Sequence, residues 1–336
     1  MAHDPKLTAY IIELKTETRQ VEKSNRNLFK NIIGELDDDL EDSYIFMEIA
    51  KKFIRKLDTP EMYSNDSTKK SMTAHQADIE NENVNNNIHF HSSNFIIEGI
   101  VEGGRYGKRR KKRSIQDKQI ESDVSEEDAI TDNFYFLLYT PLSSDKSILL
   151  IQSYSDDSID SVMKQFWEDF FKYPLLFKKP SIKRHIPNNI INGFKREATI
   201  SSLTYATEML ASTLLQSPTE SNEREYKVTV KIEPKGEGLT YNDSNTIQNI
   251  GNAILNSLRL NSFDKKKGTL KNNTTQKTSP FSLSEQDFQI KPAIMLGNYI
   301  EIQHNESDFD RIKTYCFEIL ENIKSEIYPI NAIQER

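Results

Sequence analysis

Hydrophobic residues cluster into short runs that predict strands and helices in alternation. Two near-continuous apolar runs, 133–142 and 147–154, have the length of strands, and the polar connector between them suits a hairpin turn. Because both runs carry apolar side chains on both faces, we expect them at the centre of a sheet covered by helices. The stretch 225–234 alternates apolar and polar positions, which predicts a half-buried strand.

Apolar residues spaced three and four positions apart predict helices in four further places. The stripes lie in 24–36, 41–58, 244–260 and the closing segment from Ser307 onward. A fifth helix should begin at Ser155 or Asp156, which can cap it, and continue through the stripe that ends at Phe170. The dipeptide Gly297-Asn298 indicates a two-residue hairpin.

The pattern as a whole predicts an α+β fold, with mixed sheets and helices packed on one or both sides in two strand–helix blocks. The N-terminal strand and helix pair occupies 1–59, and the Asn-rich segment 60–87 is expected to be a polar linker or insertion. A central sheet-plus-helix block then spans 88–180 and contains a basic and acidic loop at 102–132. The last block spans 190–336, within which the polar, basic stretch 264–280 is expected to be a loop.

Composition limits the class of protein. The 17 Phe and 14 Tyr are too many for a disordered chain, although the hydrophobic fraction is only 36%. With a single cysteine no internal disulfide can form, which favours a reducing, cytoplasmic location. The N-terminus lacks a signal-peptide pattern, and no uncharged apolar stretch reaches 18 residues, so we expect no membrane association.

Seven cations crowd into the nine residues from Arg105 to Arg113, although the chain has a net charge of −7. Such a cluster can align with phosphates and release counterions, and a tyrosine within it can stack on a base. The glycines at 103, 104 and 107 would let a ligand approach the backbone. The predicted nucleic-acid-binding residues are Arg105, Tyr106, Lys108, Arg109, Arg110, Lys111, Lys112 and Arg113, with Lys265–Lys267 and Lys271 as helpers.

An acidic run at 117–128 follows the basic cluster at once. It leaves two other interpretations open: a solvated loop that neutralises itself as an internal latch, or a segment that docks another protein.

No other motif predicts chemistry. The stretch 103–108 lacks the spacing and the hydroxyl of a phosphate-binding loop. A metal site at His89 and His91 is less expected than an ordinary polar strand surface. Cys316 lies on the apolar stripe of the last helix, which is more typical of a buried thiol than of a nucleophile. The Glu-x-Lys triplets at 13–15 and 233–235 lack a well-placed aspartate, which a metal-dependent nuclease would need. We therefore predict no catalytic residues, no metal and no cofactor, favour a non-enzyme, and keep a metal-dependent nuclease that uses a Glu-x-Lys triplet as an alternative.

The segments "NFIIEGIVEGGRYGKR" and "FYFLLYTPLSSDKSILLIQSYSDDSIDSVMKQFW", with the closing sheet-plus-helix segment, resemble accessory proteins of prokaryotic phage-defence and mobile-element islands. The resemblance covers about 95–175 and, more loosely, the last hundred residues. It implies a cytosolic antiviral component that acts with other protein subunits near DNA or RNA, and it assigns no functional residue. Our leading hypothesis is a non-enzymatic subunit or sensor that contacts nucleic acid through the basic cluster. A protein–protein interaction subunit is the alternative, and whether the chain forms a homo-oligomer is left open.

Overall fold

The computed structural model describes residues 5–74, 87–114, 116–117, 119, 121–154, 157–210, 225–236, 238–240, 244–258, 263–273, 278–282, 294–296 and 309–328. Within these ranges the chain forms six helices and sixteen strands, which confirms the predicted α+β class. The chain divides into two compact units. The first comprises residues 1–185 and 295–336, and the second comprises residues 186–294.

The first unit is built around a nine-stranded sheet. Its helices are α1 (Asn25–Ile33), α2 (Asp42–Leu57), α3 (Asp160–Phe170) and α6 (Phe309–Ile327). Its strands are β1 (Lys6–Thr16), β2 (Tyr63–Asn65), β3 (Lys70–Thr73), β4 (Ile88–His91), β5 (Ile96–Arg105), β6 (Arg110–Arg113), β7 (Glu121–Val124), β8 (Ile130–Tyr139), β9 (Lys146–Ser153) and β10 (Phe177–His185).

The strand order in this sheet is β10-β1-β9-β8-β5-β3-β2, with β4 also paired to β5 and the short strand β16 (Ile294–Met295) paired to β1. The two apolar runs predicted to be central strands, β8 and β9, lie in the middle of the sheet and pair antiparallel. Strands β6 and β7 are not part of the sheet, because they form a separate two-stranded antiparallel ribbon between β5 and β8. We call β6 and β7 the ribbon.

Helices cover both faces of the nine-stranded sheet. On one face α1, α2 and α3 enclose a core rich in aromatic side chains, where the rings of Phe53 and Trp167 stack at 5.0 Å. On the other face α6 lies against β8 and β9 and buries an apolar stripe that includes Cys316. Burial of a large apolar side chain such as that of Phe53 stabilises the fold by about 1.5–3 kcal/mol relative to leaving it exposed. The side chain of Trp167 is fully buried in the aromatic core.

The predicted helices are present, with adjusted ends. Ser24 caps α1 through its side chain, and Gly34 ends that helix in the left-handed conformation that glycine adopts most easily. Helix α3 begins at Asp160, and the predicted caps Ser155 and Asp156 lie outside the described residues. The predicted hairpin at 297–298 also lies outside them.

The second unit contains a smaller antiparallel sheet with strand order β12-β11-β14-β15, and β13 pairs with β11. Its elements are α4 (Asn188–Glu197), β11 (Ala198–Leu210), β12 (Glu225–Ile232), β13 (Leu239–Thr240), α5 (Ser244–Leu258), β14 (Lys265–Asn272) and β15 (Thr278–Ser282). Helix α5 covers one face, where Tyr205, Leu270 and Ile247 belong to the same apolar core.

Three predicted loops contain strands. The segment 264–280 includes β14 and the start of β15, the segment 60–87 includes β2 and β3, and 102–132 includes the ribbon. Each strand is short or polar and forms because a neighbouring strand satisfies its backbone, which no hydrophobic pattern can indicate. The predicted block 190–336 is also divided, since its last part belongs to the first unit.

Candidate nucleic-acid interface

The basic cluster begins where β5 leaves the nine-stranded sheet. Arg105 is the last residue of β5, and its guanidinium forms an ion pair with Asp157 at 3.1 Å. Both side chains are about half exposed, so solvent and salt screen this pair strongly. Arg105 therefore belongs to the end of strand β5 within the nine-stranded sheet and not to the ribbon.

Tyr106 fixes the base of the ribbon. Its backbone N–H donates to the carbonyl of Lys69 at 3.1 Å, and its hydroxyl donates to Asp66 at 2.8 Å. The ammonium of Lys69 lies over the Tyr106 ring, 5.3 Å from its centre. Burial, and then the hydrogen bond to Asp66, raise the pKa of the Tyr106 hydroxyl. The structure thus uses the tyrosine that we expected to stack on a base as an anchor against the turn between β2 and β3.

The glycines of the cluster serve internal packing. A side chain at Gly104 would collide with the Ile130 carbonyl, because the backbones of β5 and β8 approach closely there. Gly107 has a φ of 84°, a conformation that glycine tolerates, and its N–H donates to the Glu126 carbonyl at 2.9 Å. These contacts turn the chain into the ribbon, so the glycines are explained without a bound ligand.

The register of the ribbon sorts its cations onto two faces. Lys111 lies opposite Asp123 and Arg113 opposite Glu121, whereas Arg110 lies opposite Val124 and Lys112 opposite Ser122. Because directly opposed residues of an antiparallel pair share a face, one face carries cations and carboxylates together. The other face carries Arg110 and Lys112 with neutral neighbours. We call this second face the cationic face of the ribbon.

Ion pairs confirm the difference between the two faces. On the mixed face Glu121 accepts from Lys111 at 3.3 Å and from Arg113 at 2.8 Å. Within the described part of the chain, Lys108, Arg109, Arg110 and Lys112 form no ion pair, and all four are exposed. The acidic run thus pairs with two of the four cations of β6, Lys111 and Arg113. The internal latch that the sequence left open would require pairing of the whole cluster.

The other sequence candidates are dispersed. Glu13 pairs with Lys23 at 3.1 Å, and Glu233 pairs with Lys231 at 2.6 Å, so each Glu-x-Lys triplet has its carboxylate bound to a surface lysine. His91 contacts the buried Glu98 at 3.3 Å. Among the residues that the structure describes, no group of three His, Cys, Asp or Glu side chains could hold a metal ion. Burial raises the pKa of the Cys316 thiol, which keeps it protonated.

Sequence reasoning missed a group of charged residues at the sheet end from which the ribbon emerges. Asp160, the first residue of α3, accepts a hydrogen bond from Tyr10 at 3.2 Å, and burial raises the pKa of its carboxyl group. The ammonium of Lys70 donates to the Ser158 carbonyl at 2.5 Å. Burial, and then the nearby Arg105, lower the pKa of Lys70. The adjacent Lys69-Lys70 pair in the polar segment 60–87 was the available signal.

Comparison of the chain with family models, with curated proteins and with solved structures finds no match. In the described ranges no helix has the length and apolar character needed to cross a bilayer. The geometry of the ribbon therefore carries the functional argument alone.

Proposed function

We propose that the chain is a non-enzymatic subunit that contacts nucleic acid through the cationic face of the ribbon. One observation supports this most directly: Arg110 and Lys112 share a face on which the opposed residues, Val124 and Ser122, carry no charge. Residues two positions apart on a β-strand are separated by about 6.6–6.8 Å, so the two cations can reach neighbouring phosphates of one nucleic-acid strand. Lys108 and Arg109 extend the charge toward the base of the ribbon.

The net charge of the chain does not prevent this contact. Salt screens charges beyond about 8 Å at physiological ionic strength, so a phosphate at the ribbon responds to the cations beside it more than to distant carboxylates. Each cation that neutralises a phosphate releases a counterion, which makes the affinity depend steeply on salt. Arg113 and Lys111 contribute less, because Glu121 already occupies them.

The test compares two variants of the same strand that lose the same charge from opposite faces. Arg110→Gln with Lys112→Gln removes the cationic face, and Lys111→Gln with Arg113→Gln removes cations from the mixed face. Binding of fluorescent DNA and RNA oligonucleotides, single-stranded and duplex, is measured by anisotropy over a salt series. We expect the first variant to lose about two counterion contacts from the salt dependence, and the second to lose fewer than one.

Equal losses in both variants would contradict the proposed face and leave only diffuse attraction to the cluster. Unchanged binding in both would remove the ribbon as an interface. The DNA and RNA arms decide which nucleic acid is preferred. The role in prokaryotic antiviral defence rests on the sequence resemblance and stays a prediction, as do the cytoplasmic location and the partner subunits.

A further inference from the structure

The second unit carries another basic surface, on the face of its sheet that α5 does not cover. Along β11 the residues that point toward α5 include Leu203 and Tyr205, which are buried in the core of this unit. Thr204, Ala206 and Glu208 point the other way, because side chains alternate along a strand. Residues of neighbouring strands that pair with these three lie on the same outer face.

The strand register brings lysines from two flanking strands onto that face. Lys267 of β14 and Lys231 of β12 both pair with Thr204, one from each side, and Lys265 pairs with Ala206. Lys271 pairs with Thr199, beyond a bulge in β11. Strands lie about 4.8 Å apart, so these side chains spread over a patch roughly 10 Å wide. We call Lys231, Lys265, Lys267 and Lys271 the lysine face.

Acidic residues leave most of this patch uncompensated. Glu208 of β11 lies directly opposite Lys227 of β12 in the strand register, so both residues lie at one end of the outer face. Glu233 binds Lys231 at 2.6 Å, and both of these side chains are largely exposed. Lys265 and Lys267 are exposed, and together with Lys271 they form no ion pair within the part of the chain that the structure describes.

The neutral side chains between the lysines are small, and apart from that of Ala206 those at the described positions are polar. Thr204, Thr229 and Thr269 lie on the outer face with the lysines, as their register partners show. Threonine hydroxyls and lysine ammonium groups are frequent donors to phosphate oxygens. A single strand, whose bases are unstacked, is usually bound on aromatic side chains, and β11, β12 and β14 present none on this face at the described positions. A flat surface of lysine and threonine is better matched to a duplex, whose phosphates point outward.

We propose that the lysine face binds the phosphate backbone of a nucleic-acid duplex, without reading its sequence. This surface is a second site in a different unit, and it is independent of the contact proposed for the ribbon. It uses lysines alone, which act as point charges and not as the bidentate donors that recognise base edges. The expected binding is therefore salt-dependent and indifferent to sequence.

The test replaces three lysines of the face, Lys265→Gln, Lys267→Gln and Lys271→Gln, in the full chain. The comparison variant replaces three exposed lysines of β10, Lys178→Gln, Lys179→Gln and Lys183→Gln. Of these, Lys178 and Lys179 form ion pairs with Glu17 and Asp169. Anisotropy of a labelled 24-base-pair duplex is followed over a salt series, with circular dichroism to verify that each variant folds. The slope of log affinity against log salt should fall in magnitude by about 3 for the lysine face, and by less than 1 for the control.

Three results of the nucleic-acid titrations would overturn the proposal. These are an unchanged slope in the lysine-face variant, an equal change in the β10 control, or equal loss for a single strand of the same sequence. Tight binding of labelled polyglutamate, lost in the same variant while the duplex does not bind, would assign the face to an acidic protein instead. Repeating the substitutions with Arg110→Gln and Lys112→Gln separates the two sites, since either can fail while the other keeps its effect.

Discussion

Two glutamates of the first unit each bind cations, at similar distances but in opposite surroundings. Glu98 on β5 is 1% exposed and accepts from Lys313 at 2.6 Å and from Tyr135 at 2.9 Å. Glu121 in the ribbon is 43% exposed and accepts from Lys111 and Arg113 at 3.3 and 2.8 Å. The lengths of the bonds hardly distinguish the two sites, whereas the exposure of the carboxylates does.

The difference lies in what water supplies when a partner is lost. A buried carboxylate has given up its hydration, so its hydrogen bonds must be complete, and removing one side leaves a polar group without a partner. At the surface, water and salt replace a lost ion pair at little cost. The ion pair between Glu98 of β5 and Lys313 of α6 therefore stabilises the fold. The ion pairs of the ribbon mainly change how much positive charge is available to a ligand.

The largest effect is expected from Glu98→Ala. The change leaves the hydroxyl of the fully buried Tyr135 without its acceptor and removes the ion pair that ties Lys313 of α6 to the sheet. We expect the free energy of unfolding to fall by about 3 kcal/mol. Trp167, the single tryptophan of the chain, is buried in this unit, so its fluorescence during urea unfolding measures the change.

Glu98→Gln is the control, because its single amide oxygen can still accept from Tyr135, while its NH2 group cannot accept from Lys313. It should cost less than Glu98→Ala. A loss below about 1 kcal/mol in the alanine variant would show that burial does not make this network important, and would remove the contrast with the ribbon.

Tyr106→Phe is expected to have a smaller effect on the free energy of unfolding than Glu98→Ala, and a larger one than loss of the exposed ion pairs of Glu121. The variant loses the hydrogen bond to Asp66 at the base of the ribbon but keeps the ring under Lys69. Because the bond is exposed, the free energy of unfolding should fall by no more than about 1 kcal/mol. Hydrogen exchange of the Tyr106 and Gly107 amides should become faster, since both close the base of the ribbon.

Tyr44→Phe is a matched control for that experiment, because Tyr44 also donates to an exposed carboxylate, Glu35, at 2.8 Å. It should leave the exchange of the ribbon amides unchanged. Faster exchange in both variants, or in neither, would mean that Tyr106 does not anchor the ribbon.

The same contrast explains which parts of the molecule the sequence could predict. Strands β8 and β9 are buried on both faces, and their apolar runs were sufficient to place them at the centre of a sheet. Strand β6 is exposed at every position and β14 begins with three lysines, so neither has the alternation that identifies a strand. Both exist because a partner strand completes their backbone hydrogen bonds.

The candidate site was predicted in composition but not in arrangement. The seven cations were evident, but the division of four of them, Arg110–Arg113, into two faces depends on the register that places Lys112 opposite Ser122 and Arg113 opposite Glu121. A shift of one residue would exchange the faces, and the exposed hydrophilic strands give no hydrophobic pattern that fixes the register. The return of α6 to the first unit, which brings Lys313 to Glu98, is likewise a long-range contact that local patterns do not contain.

The smallest effect on stability, and the most informative for binding, is expected from Glu121→Gln. Loss of exposed ion pairs to Lys111 and Arg113 should change the free energy of unfolding by less than about 0.5 kcal/mol. The two cations then become available to phosphates, so affinity for nucleic acid should rise, and the salt dependence should gain up to about two counterion contacts. Glu127→Gln removes the same charge from an exposed residue shortly after the ribbon, which forms no ion pair within the described part of the chain, and it should raise affinity much less. Equal gains in the two variants would mean that the overall charge of the ribbon, and not the pairing by Glu121, controls its attraction for polyanions.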